Sequence, residues 1–233
     1  MSGTQDDSEP GDSTPDVAQR LNIALEAAGM APLEPALAAR FAAYLSLFLR
    51  WNRRVNLSAI RDEKGIISRH FVESIACARA LPPGIRTLLD LGSGAGFPGI
   101  PIALCRPEIS VTLAESQGKK AAFLQEALRL LGIQAKVHGQ RAEELRVVFD
   151  CVVLRAVDRM PEAVRIAAGL LCEEGWLALM TTDSELAGLR SAAGPALIWT
   201  RPIPLPGSTE RLIALGQKIA EAPSLDPEAC RRG

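Results

Sequence analysis

The residues with the clearest chemical potential sit together in TLLDLGSGAGFPGIPIAL, residues 87–104. An apolar run ends at Asp90. Gly92, Gly94 and Gly96 follow, then Phe97, Pro98 and Pro101, and the chain turns apolar again. Glycines let a ligand approach the main chain closely. A proline suits the first turn of a helix, where its missing N–H costs nothing. The pattern reads as strand, tight loop and helix. Such a loop lies at the carboxyl edge of a sheet, where open α/β folds bind ligands.

Two ligands compete for it. Gly94 to Gly99 fits G-x-G-x-x-G, and Glu115 follows about 20 residues on, as a ribose contact should. Read literally, this is a dinucleotide site and an NAD(P)-dependent oxidoreductase. Against that, Asp90 sets negative charge where a pyrophosphate would sit. No large catalytic domain follows, and the only tyrosine, Tyr44, forms no hydride-transfer pair with a lysine. S-adenosyl-L-methionine fits better: it is cationic and carries no phosphate, so an acid beside the loop offsets its charge. Glu115 would then accept from the ribose hydroxyls.

Positioning these residues requires alternating elements. Strand-like runs at 87–91, 111–115, 135–137, 151–155 and 176–181 alternate with helical ones from about 99, at 119–131, at 161–171 and near 184–193. This predicts right-handed βαβ crossovers and a parallel sheet. Runs at 197–203 and 210–215, joined by PLPGS, predict a terminal antiparallel hairpin. Before the sheet, helical spacing at 17–29, at 33–51 and from Asp62 to about 81 predicts a small helical cap. The expected division is an acidic tail over 1–16, rich in Ser, Pro and Gly, the cap over 17–84, the catalytic domain over 85–220 and a tail over 221–233.

Composition narrows the class. Of 233 residues, 48% are hydrophobic and 23% charged, as in soluble globular chains. No apolar run approaches the ~20 residues of a membrane span. The start lacks a signal peptide's basic and apolar regions, so a cytoplasmic protein is expected. Cys77, Cys105, Cys151, Cys172 and Cys230 are scattered, and only His70 and His138 are histidines. Reduced thiols and no metal are expected. The first sixteen residues hold five acids and no base, so the remainder of a chain of net charge −1 is mildly basic and suits a polyanionic partner. Arg50, Arg53, Arg54, Arg61, Lys64 and Arg69 cluster around the cap, with Lys119 and Lys120 further on, as candidates for RNA phosphates. Trp51 reads as a core anchor at a helix end, and His70 as a hydrogen-bonded structural residue.

Over roughly residues 33–175 the chain resembles the bacterial small-subunit rRNA methyltransferase G family, RsmG or GidB. The likeness rests on YLSLFLRWNRRVNLSAIRD with the following RHFVES, on LLDLGSGAGFPGIPIAL, on AESQGKKAAFLQEAL, on RAEEL and on VVLRAV. It implies a Rossmann-like, class I S-adenosylmethionine-dependent methyltransferase with a mostly parallel seven-stranded sheet. The implied reaction is methylation of guanine N7 in the decoding-region loop of 16S rRNA, at guanosine 527 in the family's usual naming. By position, Gly92 and Phe97 match cofactor-loop contacts. Glu115 stands where the family usually has aspartate. Ala142 and Glu143 match the turn beside the adenine, and Arg155 matches an arginine lining the active site. Guanine N7 has a free lone pair, so attack on a sulfonium methyl needs no general base. A cation at N7 would hinder the step, so Arg155 is assigned to the cofactor or to RNA phosphate and sugar. The expected partner is 16S rRNA or the small ribosomal particle, with the protein a monomer. A non-catalytic RNA-binding assembly factor is the other alternative.

Overall fold

The computed structural model describes residues 16–220. The tail expected over 1–16, apart from Asp16, and the tail over 221–233 with Cys230 lie outside the described residues. Cys77, Cys105, Cys151 and Cys172 are free thiols. No helix among the described residues is long and apolar enough to cross a membrane.

Helix α1 (Val17–Ala27) opens on a capping box: Asp16 accepts from the Gln19 N–H and the Gln19 side chain accepts in return. Helix α2 (Pro35–Asn52) starts with proline at its first position. Asp62 caps α3 (Glu63–Gly65) through the Gly65 N–H at 2.7 Å. The run continues through a π-helical segment, Ile66–Val72, into α4 (Glu73–Ala80).

Strands β1 (Thr87–Leu91), β2 (Ser110–Ala114), β3 (Lys136–His138), β4 (Phe149–Arg155) and β5 (Leu171–Thr182) are parallel. Helices α5 (Gly99–Cys105), α6 (Gly118–Leu131) and α7 (Met160–Gly169) connect them, with a single 3-10 turn, Ala142–Glu144, before β4. After α8 (Asp183–Ala193) come β6 (Leu197–Trp199), β7 (Ile203–Pro204) and β8 (Arg211–Lys218). The sheet order is β3-β2-β1-β4-β5-β8-β6, and β8 runs antiparallel to β5, β6 and β7. Seven strands thus form the main sheet. The eighth, β7, is a two-residue remnant: the single run expected over 197–203 is split because Pro202 has no N–H to donate.

The pleat sorts the core into two layers. Leu88, Cys151, Val153, Met180 and Ile213 face the cap and pack with Phe41, Tyr44 and Phe48 in one cluster. Leu89, Leu91, Val152, Leu154 and Leu179 face α7 and α8 in the other. Alternate residues of a strand point to opposite faces, and this parity decides where the functional side chains go.

Candidate active site

The glycine loop is tied to β2. The Gly92 and Ser93 N–H groups both donate to the Ala114 carbonyl at 3.0 Å. Glu115, one residue beyond β2, is buried and grips the loop from the side. Its Oε2 accepts from the Gly94 N–H at 2.9 Å and its Oε1 from the Gln117 N–H at 2.8 Å. Gly92 has φ +76°, and a Cβ there would lie 2.8 Å from Val157 Cγ2. Gly92, Glu115, Ala142 and Glu143 converge on one cleft, walled by Leu91, Val157 and residues of α7. It lies at the carboxyl ends of β1, β2 and β4, at the sheet's topological switch point. The lining fits an adenosyl cofactor: the Glu115 carboxylate could accept from ribose hydroxyls, Gly92 leaves its backbone bare, and Ala142 is small enough to lie beside a base.

Gly96 lies beneath the loop, where a Cβ would press on Tyr44 and Ile100. The Tyr44 hydroxyl donates to the Ala95 carbonyl. Burial, with Asp90 nearby, pushes its phenol above the usual range, so it stays a donor.

Besides Gly94 and Gly96, three expected cofactor residues do not line the cleft. Asp90 shares its strand face with Leu88, the cap side, so its carboxyl points away from the cleft. It is 1% exposed and accepts the Gly99 N–H at 3.0 Å, anchoring the start of α5. Burial pushes it up to about 7, against the pull of that N–H. In place of the contact with a ligand's charge expected of it, the carboxyl holds the protein's own Gly99 N–H. Phe97 is also buried under the loop. Its ring stacks on His70 with centroids 4.6 Å apart and planes at 12°, so its side chain belongs to the aromatic core.

Arg155 is the third. It shares parity with Cys151 and Val153 and so emerges on the cap face, in a second cavity of about 340 Å³. There it donates to Glu73 Oε2 at 2.9 Å and to the Arg69 carbonyl at 2.5 Å. Glu73 also receives Arg69 Nε at 3.1 Å and Arg211 Nε at 2.9 Å. Val157 borders both cavities. His70 lines the second one. Its Nε2 meets Ser58 Oγ at 2.8 Å, and its buried Nδ1 has no hydrogen-bond partner among the described residues. Burial, then Arg155 and Arg69, hold it down to about 3, so the ring is neutral.

The basic set is dispersed. Arg69 lines the second cavity. Arg50 is paired with Glu126 of α6 at 2.8 Å, which also receives Trp51 Nε1 at 3.0 Å; Trp51 packs edge-on against Phe123 and is the anchor expected. Asn52 Oδ1 accepts the Leu57 and Ser58 N–H groups, shaping the loop that carries Ser58. Arg53, Arg54, Arg61, Lys64 and Lys119 are exposed, and Lys120 is half-buried. Sequence reasoning missed Glu73 and Arg211. Glu73 stands four residues after Arg69, a legible helical pair. Arg211 comes from β8, far along the chain.

Comparison with known proteins agrees with this geometry. Residues 37–193 match the family model of rRNA small subunit methyltransferase G. The ribosomal RNA small subunit methyltransferase G of Xanthomonas euvesicatoria pv. vesicatoria is 39% identical over 199 residues, covering 83% of this chain and 91% of the relative. That of Roseiflexus castenholzii is 38% identical, covering 82% and 87%. Among solved structures, mitomycin 7-O-methyltransferase superposes with TM-score 0.57 at 16% identity, covering 87% of this chain and 73% of that one. Magnesium protoporphyrin IX methyltransferase of Synechocystis PCC 6803, solved with bound S-adenosylmethionine, gives 0.55 at 19%, covering 80% and 98%. At these identities the structural likeness is one of fold.

Proposed function

The chain belongs to the rRNA small subunit methyltransferase G family, and on that footing we propose that it methylates N7 of guanosine 527 in 16S rRNA, using S-adenosyl-L-methionine. The observation that carries the reading is the pair of cavities sharing Val157. One suits an adenosyl compound; the other is lined by arginines and opens on the cap face. Bound in the first, the cofactor would supply an electrophilic sulfonium methyl. Glu115 holds the ribose, Ala142 and Glu143 flank the adenine, and the backbone at Gly92 closes on the ligand. Val157 would stand beside the point where the two cavities meet and the sulfonium methyl contacts N7.

The titratable groups around the second cavity support an N7 acceptor. Glu73 is engaged by three guanidiniums, and the hydroxyls of Thr181 and Thr182 hold Glu185 below the usual carboxylate range. His70 is neutral, with Nε2 on Ser58. N7 carries a lone pair and no proton in neutral guanine, so none of these groups needs to remove one. Alignment of the reactants supplies the acceleration, worth about 7–11 kcal/mol when geometry is good. Arg155 acts as a positioning residue, held off N7 by Glu73. Splayed bases are the accessible targets in RNA, because the A-form major groove hides the N7 edge.

The test is methyl transfer from labelled cofactor to small ribosomal particles and to naked 16S rRNA, followed by borohydride–aniline cleavage, which breaks the chain at N7-methylguanosine. Cleavage at guanosine 527 is expected. Label on protein, or on another position of the base, overturns the assignment. The same reading makes the protein a cytoplasmic monomer.

A further inference from the structure

We propose that Arg69 and Arg211 bind a backbone phosphate of the target nucleotide and that the buried Glu73 sets them in place. The proposal rests on the rRNA methyltransferase reading above and adds a subsite to it.

Glu73 is 1% exposed and has cations on both oxygens. Arg155 takes Oε2, while Arg69 and Arg211 share Oε1, which draws those two guanidiniums together. Both are held by Nε. No hydrogen bond among the described residues engages Nη1 or Nη2 of either, so the terminal nitrogens of both are available to a ligand. Guanidinium forks match phosphate oxygens in pairs. Depth sorts the three side chains: Arg155 is 12% exposed, Arg211 26% and Arg69 43%. Arg155 builds the site, and the other two reach its mouth.

Charge points the same way. Three guanidiniums against Glu73 and Glu185, the second carboxylate of the same cavity, leave one positive charge in a partly desolvated recess. A neutral buried pair would already be a weak source of stability, and excess cation is worse. An arriving phosphodiester removes the excess. Beyond the arginines the cavity wall is mixed: Val157, Met160, Met180 and Leu205 are apolar, and His70, Thr181, Thr182 and Glu185 bring polar groups. That polarity suits a nucleotide inserted with its phosphate at the arginines and its base toward Val157, the boundary with the cofactor cleft. None of the three arginines lines the cofactor cleft, so their ligand is the substrate.

The test uses the full chain, small ribosomal particles from cells lacking this methylation, and the variants Arg211→Gln and Arg211→Lys. Either variant leaves Glu73 paired with Arg69 and Arg155, and a thermal melt verifies folding. Calorimetry with S-adenosylmethionine should give wild-type affinity. For Arg211→Gln, the Michaelis constant for particles should rise about tenfold, as loss of a charge-assisted contact does. The slope of log affinity against log salt should become shallower by about 0.7–1. Arg211→Lys keeps the charge and loses the fork, so it should restore the salt slope and only part of the Michaelis constant. An unchanged slope and Michaelis constant in Arg211→Gln overturn the proposal. So does a fall in cofactor affinity alone, which would return Arg211 to the other site. If wild-type protein fails to methylate guanine N7, the underlying reading fails, and that result is scored separately on the unmutated chain.

Discussion

Gly92→Ala tests the loop most directly. The residue has φ +76°, and an L side chain there costs about 1–2 kcal/mol. The added Cβ would also lie 2.8 Å from Val157 Cγ2 and 3.1 Å from Cγ1. Both are closer than ordinary contact, and forcing such a methyl into place costs about 1–3 kcal/mol. The expected destabilisation is about 2–5 kcal/mol, read by urea unfolding and as a melting shift of about 2–4 °C per kcal/mol for a chain of this size. Displacing Val157 also moves the wall between the two cavities, so cofactor affinity should fall at least tenfold by calorimetry. Val157→Ala in the same background removes the colliding methyls and leaves the backbone strain. The double-mutant cycle should return a coupling of about 1–3 kcal/mol in the stabilising direction. A Gly92→Ala protein with wild-type stability and affinity refutes the reasoning, and zero coupling refutes its steric half.

Glu115→Ala removes the acceptor of the Gly94 and Gln117 N–H groups; cofactor dissociation constants should rise about ten- to a hundredfold, with Glu115→Gln intermediate. Tyr44→Phe leaves the buried Ala95 carbonyl without its hydroxyl donor and should lower unfolding free energy by about 1–3 kcal/mol in urea. Asp90→Asn tests the raised carboxyl. Its ordinary value of 3.8 rises to about 7 on folding, so its contribution is fully present below about pH 4 and is lost as pH climbs through 7. Relative to the non-titrating variant, wild type should therefore lose stability between about pH 4 and 7 in parallel denaturation series; a pH-independent difference would show that Asp90 does not titrate there.

The alternation of strand and helix makes the sheet legible in the sequence, and DLGSGAGFPG marks the cleft. Gly92 and Glu115, marked by spacing, meet Ala142 and Glu143, marked by the family resemblance, in one cleft. Neither the loop pattern around Asp90 nor the resemblance that marks Arg155 carries strand parity, which sends both to the cap face, with Leu88 and Val153. That parity is itself readable from TLLDL and DCVVLR. Phe97 was drawn into the core by an aromatic cluster that forms only when Tyr44, Phe48 and His70 come together. Arg211 carries no local signal; the pairing of β8 with β5 brings it to Glu73.

Phe41, Phe48 and Ile75 from the helices belong to the same apolar cluster as Val153 and Ile213 from the strands. The opening helices leave the ribosome before the surface that receives them exists, and the last strand made supplies part of that surface. The interior therefore closes only when both ends of the chain are available. A nascent chain stalled before β8 leaves apolar surface uncovered, which makes it a natural client for chaperones.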